Sequence, residues 1–444
     1  MMRIDPIDRL VRPFERFMKA QATGGMLLLG AAIVAMVWAN SPWKEEYHHL
    51  WHHTFAIRID DWELKRTLHH WINDGLMAMF FFVVGLELKR EVVGGQLSRP
   101  SQAILPVAAG IGGMVFPAAI FIAINGLDGA ASSGWGIPMA TDIAFAVGLI
   151  ALLGSRAPLA LKIFLTTLAI ADDLGAVLVI ALFYTSDISF VNLAIGMGFM
   201  GVLIAGNLLG IRSPVFYGIF GIGGLWTAFL LSGIHATVAG VLAAIVIPAT
   251  AKVDEIGYMK RMRKYLDEFS LLKPNTVKTL TEDQLHAIDK VIKLNQHAAT
   301  PLQRLEHKLH PIVVYVIMPL FALANAGVEL PSEIGSALAG PIAMGVALGL
   351  LVGKPLGILL VCWVIVKLRW ASVGDQFTWR QLLGASFLAG IGFTMSLFIN
   401  ELAFLDPDHR QQAKLGILLA SFIAGVIGFL ILRGGQTKSA SVGQ

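Results

Sequence analysis

Three carboxylates and one ammonium stand in this sequence where ionic side chains are costly. Asp172 and Asp173 are the tenth and eleventh residues of the apolar run 163–184. Lys354 is the fourteenth of the 26 residues 341–366, and nothing else in that run is charged. Asp142 follows Thr141 inside Gly136-Ile-Pro-Met-Ala-Thr-Asp-Ile-Ala-Phe. A charged side chain at the centre of a spanning helix costs about 2.5–3.5 kcal/mol on insertion scales, so each is a functional candidate by default. A purely structural salt bridge between Lys354 and one aspartate accounts for one carboxylate, and the sequence supplies three. A hard cation such as sodium takes oxygen ligands, which carboxylates and hydroxyls provide. Neighbouring acids beside a cationic group titrate as a coupled set. Protons and a metal cation would then compete for the same oxygens. Competition at one alternately exposed site is all that exchange requires.

The elements that must hold these residues are transmembrane helices. The chain of 444 residues is 56% hydrophobic and only 14% charged, with a mean hydropathy of +0.69. Soluble domains carry roughly a quarter charged residues, and a bilayer core needs about 20 apolar residues per helix. Twelve candidate spans follow: 22–41, 72–93, 103–124, 136–154, 160–184, 190–210, 214–223, 227–249, 303–327, 338–367, 380–401 and 413–433. The seventh is too short to cross alone, which leaves its boundary with the eighth open. Twelve spans put both termini on one side. With both ends cytoplasmic, 27 of the 34 lysines and arginines face the cytoplasm, as the positive-inside rule requires.

The remaining segments are brief. Residues 1–21 show helical spacing of Ile4, Ile7, Leu10, Val11, Phe14, Phe17 and Met18, which predicts an amphipathic segment on the membrane surface rather than a cleaved signal peptide. The outer stretch 42–71 contains Phe55-Ala-Ile-Arg-Ile-Asp-Asp-Trp-Glu-Leu-Lys, read as a β-hairpin with Asp60-Asp61 near the turn. The inner insertion 251–302 offers helices near 255–272 and 282–297, with Thr281 and Gln284 at capping-box spacing. Spans 303–433 and a tail, 434–444, follow. The single cysteine, Cys362, excludes an intramolecular disulfide. The net charge of +4, without basic clusters beside stacking aromatics, gives no sign of nucleic-acid binding. No cofactor is expected.

Two spans contain helix breakers. Residues 136–154 hold Pro138 and the polar Thr141-Asp142 pair, and 380–401 hold Gly390-Ile-Gly392-Phe-Thr394. Non-helical backbone at membrane depth is tolerated only where it lines protein or a cavity, although a lone glycine-rich span more often signals close helix packing. Here each irregular span has one span on either side. The triplets 103–184 and 338–433 start from opposite faces, as inverted repeats would. The expected fold is therefore an all-α membrane protein with two inverted-topology repeats, each containing a broken helix crossing at the midplane.

Several stretches resemble signatures of the NhaA sodium/proton antiporters, a family in which such repeats are already known. They are Asn73-Asp-Gly-Leu-Met-Ala-Met-Phe-Phe-Phe, Val84-Gly-Leu-Glu-Leu-Lys-Arg-Glu91, Ala140-Thr-Asp-Ile-Ala-Phe-Ala, Leu161-Lys-Ile-Phe-Leu, Ala169-Ile-Ala-Asp-Asp-Leu-Gly-Ala, Ser232-Gly-Ile-His-Ala-Thr, Arg304-Leu-Glu-His-Lys-Leu-His-Pro, Gly353-Lys-Pro-Leu-Gly and Gly390-Ile-Gly-Phe-Thr-Met-Ser. They occur in family order and cover the chain apart from 251–300 and the two ends. The resemblance implies an electrogenic exporter of sodium, with lithium as competitor, driven by inward proton flow in a bacterial inner membrane. It implies that Asp172 and Asp173 bind sodium and protons, with Asp173 the direct ligand and Lys354 paired with Asp172. Thr141 and Asp142 would lie at the crossing of the broken helices. It links Glu87, Arg90, Glu91, His235, Glu306, His307 and His310 to activation at alkaline cytoplasmic pH, and the 42–71 hairpin to a homodimer.

Blander readings stand beside these. The charged residues at span ends also suit a solvated interface cluster, and His235 a packing histidine. His48, His49, His52 and His53 invite a metal site at i, i+4 spacing, or plain solvation in the outer loop. The sequence departs from the family in its long 251–300 insertion and in Gln303, both next to the pH-linked positions. An intramembrane aspartyl protease would need no lysine and lacks its glycine-x-glycine-Asp motif here. A channel would need a continuous pore. A third alternative is another cation on the same scaffold.

Overall fold

The computed structural model describes residues 21–60, 62–185, 188–272, 279–331, 333–371 and 377–434. The expected amphipathic segment 1–21 and the tail 434–444 lie outside them but for residues 21 and 434, and so does Asp61 of the hairpin turn. Among the described residues, eight helices are long and apolar enough to cross a bilayer, or up to ten if each of two bent pairs makes one span. The chain is a multi-pass membrane protein.

Helix α1, Gln21–Ala39, turns by 115° into α2, Lys44–His52. Strands β1, Thr54–Ile59, and β2, Trp62–Thr67, then pair antiparallel from Thr54↔Thr67 to Ile59↔Trp62. This is the hairpin read from the alternation in 55–65. Asp60 takes the left-handed conformation, φ 50°, which tight hairpin turns demand. After the hairpin come a wide π turn, Trp71–Leu76, and α3, Met77–Gly94, whose last turns carry Glu87, Lys89, Arg90 and Glu91.

Two similar successions follow at a distance in sequence. In the first, α4, Pro100–Asn125, precedes a 3₁₀ segment, Ala130–Met139, an extended break at 140–142, α5, Ile143–Leu152, and α6, Leu159–Phe183. In the second, α13, Pro341–Lys367, precedes α14, Trp379–Ala389, a break at 390–392, α15, Phe393–Ala403, and α16, Pro407–Arg433. Between them lie α7, Phe190–Leu208, α8, Pro214–Ser232, α9, Ala236–Val246, the helical pair α10, Glu255–Leu271, and α11, Glu282–Ala298, and then α12, Pro301–Asn325.

The open boundary between the seventh and eighth expected spans falls elsewhere than the sequence suggested. Helix α8 runs unbroken through Gly223-Gly224, where 214–223 was expected to end, and stops at Gly233 with φ 85°. Only a residue without Cβ takes that left-handed angle easily. Inside α8 the helix widens to π geometry over Ile219–Trp226 and runs on through these glycines, with Gly224 packed on the Phe199 ring. The expected span 227–249 is thereby divided, and only Ala236–Val246 remains as its second helix. In the 251–302 insertion, Thr281 and Gln284 form the capping box of α11, and Thr300 with Gln303 forms that of α12, with Pro301 at its first position.

Helix α4 is the spine between the two successions. It crosses α13 backbone to backbone: a Cβ at Gly357 would lie 2.2 Å from the Gly112 carbonyl oxygen. Association without a hydrophobic driving force relies on such close contact between small residues.

At the hairpin end of the molecule, α2 is fastened to the loop after α12. Lys44 donates to Glu329 at 3.0 Å and His48 lies 3.1 Å away, while Asn40 donates to the Val328 carbonyl and accepts from the Leu330 amide. The Lys44 hydrogen bond holds the Glu329 carboxyl below its usual range, against a smaller opposing effect of burial. A depressed carboxylate stabilises above its unfolded pKa of about 4.3 and loses that contribution as pH falls through the lowered folded value. Protection factors for amide exchange in 40–52, taken relative to the intrinsic rate at each pH, should therefore fall on acidification below about pH 4, and Glu329→Gln should show the reduced protection already at neutral pH.

Candidate functional site

The site is built where the two breaks meet. The amide of Asp142, in the first break, donates to the Ile391 carbonyl in the second at 2.7 Å. Two short segments without helical pairing thus satisfy part of each other's backbone, which hydrocarbon cannot do. The break is specified by residue type. Asp142 has extended backbone (φ −81°, ψ 96°) and caps α5, its Oδ1 accepting from the Phe145 amide at 3.0 Å. Its other oxygen, Oδ2, accepts from the Thr394 amide at 3.1 Å and the Thr394 hydroxyl at 2.5 Å, at the start of α15. One carboxylate therefore serves the N-termini of two half-helices, where helix dipoles favour negative charge.

The carbonyl ends receive donors. Lys354 Nζ donates to the Met139 carbonyl, the last residue of the 3₁₀ segment. The Thr141 hydroxyl lies 2.8 Å from the Ala389 carbonyl, at the end of α14. Further ties hold the crossing: Ser396 Oγ donates to the Ile137 carbonyl at 2.7 Å, and Ser421 Oγ on α16 accepts from the Phe393 amide at 3.1 Å.

Lysine 354 reaches this point because α13 is irregular beneath it. The helix widens to π geometry over Gly349–Gly353, and Pro355, next along, has no amide to donate. The ammonium then sits 2.7 Å from Asp172 Oδ2, with both side chains fully buried. Helix α4 passes close to both. A Cβ at Gly110 would lie 3.4 Å from Asp172 Oδ1, and one at Gly113 would lie 3.7 Å from Lys354 Cε.

The hydrogen bonding is incomplete in an informative way. Asp172 Oδ2 takes Lys354 and also the Thr141 hydroxyl at 2.7 Å. That hydroxyl has one proton and two candidate acceptors, Asp172 and the Ala389 carbonyl, so it serves one at a time. Asp172 Oδ1 and both oxygens of Asp173 are buried with no hydrogen-bond partner in the protein, among the described residues. Buried polar oxygens left so are expensive. A proton or a cation at this position removes the penalty.

The other candidates form a separate group at the end of α3 and the start of α12. Arg90 bonds Glu306 and also Glu91, the latter at 3.0 Å; His310 Nδ1 lies 3.1 Å from Glu87 Oε1. Glu91 accepts from the Gln96 amide at 3.0 Å. His307 is exposed and takes no part in these bonds. His235 stands apart, at the gap between α8 and α9, with Nε2 2.6 Å from the Tyr184 carbonyl. The histidines of α2 do not gather on a metal: His48 faces Glu329 and His52 Nδ1 bonds the His48 carbonyl at 2.7 Å. Among the described residues no group of three or more His, Cys, Asp or Glu could hold a metal.

Sequence reasoning missed several contributors. Thr394 and Ser421 carry no charge, and a hydroxyl in an apolar span usually bonds its own helix. The Met139 carbonyl leaves no trace in side-chain chemistry. Glu401 was legible, as the one acid in 380–401. Its side chain is buried at the C-terminal end of α15, 2.9 Å from Lys414 and 3.2 Å from Arg410.

A polytopic helical protein whose two broken helices meet at buried carboxylates and a buried lysine has the build of an ion-coupled transporter. Comparison with known proteins agrees. The family model for Na+/H+ antiporter 1 matches residues 15–432. The chain is 49% identical over 429 residues to the Na(+)/H(+) antiporter NhaA of Oleidesulfovibrio alaskensis, covering 96% of this chain and 95% of that one. It is 47% identical over 427 residues to the Na(+)/H(+) antiporter NhaA of Koribacter versatilis, covering 96% and 92%. A protein of Syntrophotalea carbinolica, Na(+)/H(+) antiporter NhaA 2, is 47% identical over 432 residues, covering 97% and 98%. The chain belongs to the Na+/H+ antiporter 1 family, a family of transporters rather than enzymes.

The double cap gives a direct test. Thr394→Val removes one hydrogen bond to a carboxylate, worth about 1.5–3 kcal/mol, and should lower the apparent melting temperature of the detergent-solubilised protein. Thr394→Ser keeps the hydroxyl and should melt close to wild type.

Proposed function

We propose that this protein exchanges sodium for protons across a bacterial inner membrane, exporting sodium with energy from inward proton flow. The observation that carries the reading is the set of buried, unpartnered oxygens of Asp172 and Asp173 beside Lys354. Carboxylate oxygens without donors suit a hard cation such as sodium, or lithium as competitor. Asp173 is the direct ligand, since neither of its oxygens is committed to a protein donor. Asp172 shares the cation, and Thr141 supplies a hydroxyl. When protons occupy the site, Asp173 carries one and the Asp172–Lys354 pair keeps another. Sodium binding expels both, so more than one proton moves per sodium and the cycle carries net charge. Asp142 completes the cation and proton site and keeps the half-helix ends compensated throughout.

The twelve-span topology, with two inverted repeats and both termini cytoplasmic, supplies alternating access: the crossing stays together while the surrounding helices open one side or the other. Activation at alkaline cytoplasmic pH belongs to the group that joins α3 to α12. His310, facing Glu87, is of the one side-chain type that ordinarily titrates near neutrality. Glu91, Glu306 and Arg90 set the charge around it, and His235 and the exposed His307 are the weaker members of the set. The β1–β2 hairpin faces the periplasm and joins two subunits into a homodimer, because an isolated two-stranded ribbon is marginal in water. No cofactor enters the cycle.

The test is transport. In proteoliposomes with an imposed proton gradient, sodium should collapse the gradient for wild type and fail to do so for Asp173→Asn at either of two external pH values. Lithium should act like sodium. Collapse that persists in the mutant would move the site away from Asp173. No response to sodium or lithium in wild type would reject the ion assignment.

A further inference from the structure

The insertion between α9 and α12 is a helical pair with one face used and one face free. Along α10, Tyr258, Met262 and Tyr265 recur at helical spacing and are half-buried. They face α11: the Tyr258 hydroxyl donates to Asn295 Oδ1 at 2.8 Å, Lys290 Nζ stands 5.9 Å from the centre of the Tyr265 ring, and the same ammonium bonds Glu268 at 3.0 Å. The pair is thus one unit. The opposite face of α10 carries Ile256, Met259, Leu266 and Leu271, which are 80%, 48%, 55% and 85% exposed. Between them stand Lys260, Arg263 and Lys264, also exposed and without an ion pair among the described residues.

The base of this unit is tied by hydrogen bonds to the end of α7 and the start of α12. The Leu302 amide donates to the Pro248 carbonyl at 3.2 Å and the Lys252 amide to the His297 carbonyl at 3.0 Å. Arg212, after α7, donates to the Thr250 carbonyl at 2.8 Å, and Lys89 on α3 donates to the Ile245 carbonyl at 2.6 Å. Only residues 247–254 separate the end of α9 from the start of α10. Even fully extended, they reach no more than about 30 Å. Helix α10 therefore starts within about 30 Å of the end of α9, at the end of the molecule where α7 stops and α12 begins.

We propose that this face docks on the anionic headgroups of the adjoining leaflet. The four apolar side chains are of the kind that enters the headgroup–acyl boundary, and lysine and arginine lay their aliphatic stems beside them while the charges meet lipid phosphates. On that face three cations, Lys260, Arg263 and Lys264, outnumber the single unengaged carboxylate among them, Asp267, while Glu255 stands at the N-terminal end and Glu268 is engaged by Lys290. The centre of the face is positive, which fits an anionic surface. An acidic protein partner, or a second copy of the chain, is the competing occupant.

The experiment uses the full chain with Cys362→Ser and an environment-sensitive fluorophore on Met259→Cys, in nanodiscs of phosphatidylcholine alone or mixed with phosphatidylglycerol. A second sample carries the probe on His286→Cys of α11, which is exposed on the other helix. With phosphatidylglycerol, the Met259 probe should shift to the blue and be quenched by acyl-chain-brominated lipid, while the His286 probe should not. Lys260→Gln, Arg263→Gln and Lys264→Gln together, or raised salt, should reverse the shift, with helix content unchanged by circular dichroism. Equal emission and equal quenching in the two lipids would overturn the proposal. So would a blue shift that follows the number of protein copies per disc and ignores lipid charge, which would assign the face to a second copy.

Discussion

In hydrocarbon, every amide and carbonyl released by a break in a helix must find its partner within the protein. That requirement governs the centre of this molecule. Breaking two helices at the same depth releases two amino ends and two carbonyl ends. The amide of Asp142 and the carbonyl of Ile391 pair directly. The remainder is met by side chains whose charge matches the end they serve. The Asp142 carboxylate stands at both N-termini, and Lys354 and Thr141 stand at the carbonyl ends.

That arrangement explains why the lysine is where it is. Its ammonium is shared between a helix end and Asp172, so it couples the breaks to the carboxylates on α6. Any proton or cation that changes the charge of Asp172 or Asp173 also changes how well the carbonyl end at Met139 is compensated. Binding chemistry and helix geometry are then parts of one electrostatic arrangement. The same linkage makes the site sensitive to substitutions that never touch an ion. Thr394 and Ser421 act on the breaks, and the breaks fix the distance between Lys354 and Asp172.

Close packing supports this. The backbone contact between Gly112 and Gly357 brings α4 and α13 together at a separation that no larger residue would permit, and α4 then passes beside both Asp172 and Lys354. The π-widened turn over Gly349–Gly353 and the missing amide of Pro355 are deviations from regular helix. Wide turns of this kind recur at functional sites, and here they lie directly beside the buried ammonium. At the other extreme, the β1–β2 hairpin and the α10–α11 pair are stabilised by ordinary water-side devices: a tight turn, capping boxes and surface ion pairs.

Read alone, the sequence determined the membrane character of the chain, the positions of most of its helices, both broken spans and the ionic residues within them. Those features depend on local composition: apolar length, a proline or glycine at depth, and a charge where charge is costly. The hairpin and both helices of the 251–302 insertion were legible too, because their turn and cap residues act within a few positions of themselves. It did not decide where α8 ends, because a glycine is a stop only if the tertiary packing lets it take a left-handed angle; Gly233 does and Gly223 does not. Nor did it decide which oxygens of Asp172 and Asp173 lack donors, which carbonyl Lys354 holds, or that a single carboxylate caps two helices. These depend on contacts between residues as far apart as Asp142 and Thr394. Only the tertiary structure brings such partners within hydrogen-bonding distance, and no periodicity in the chain records them.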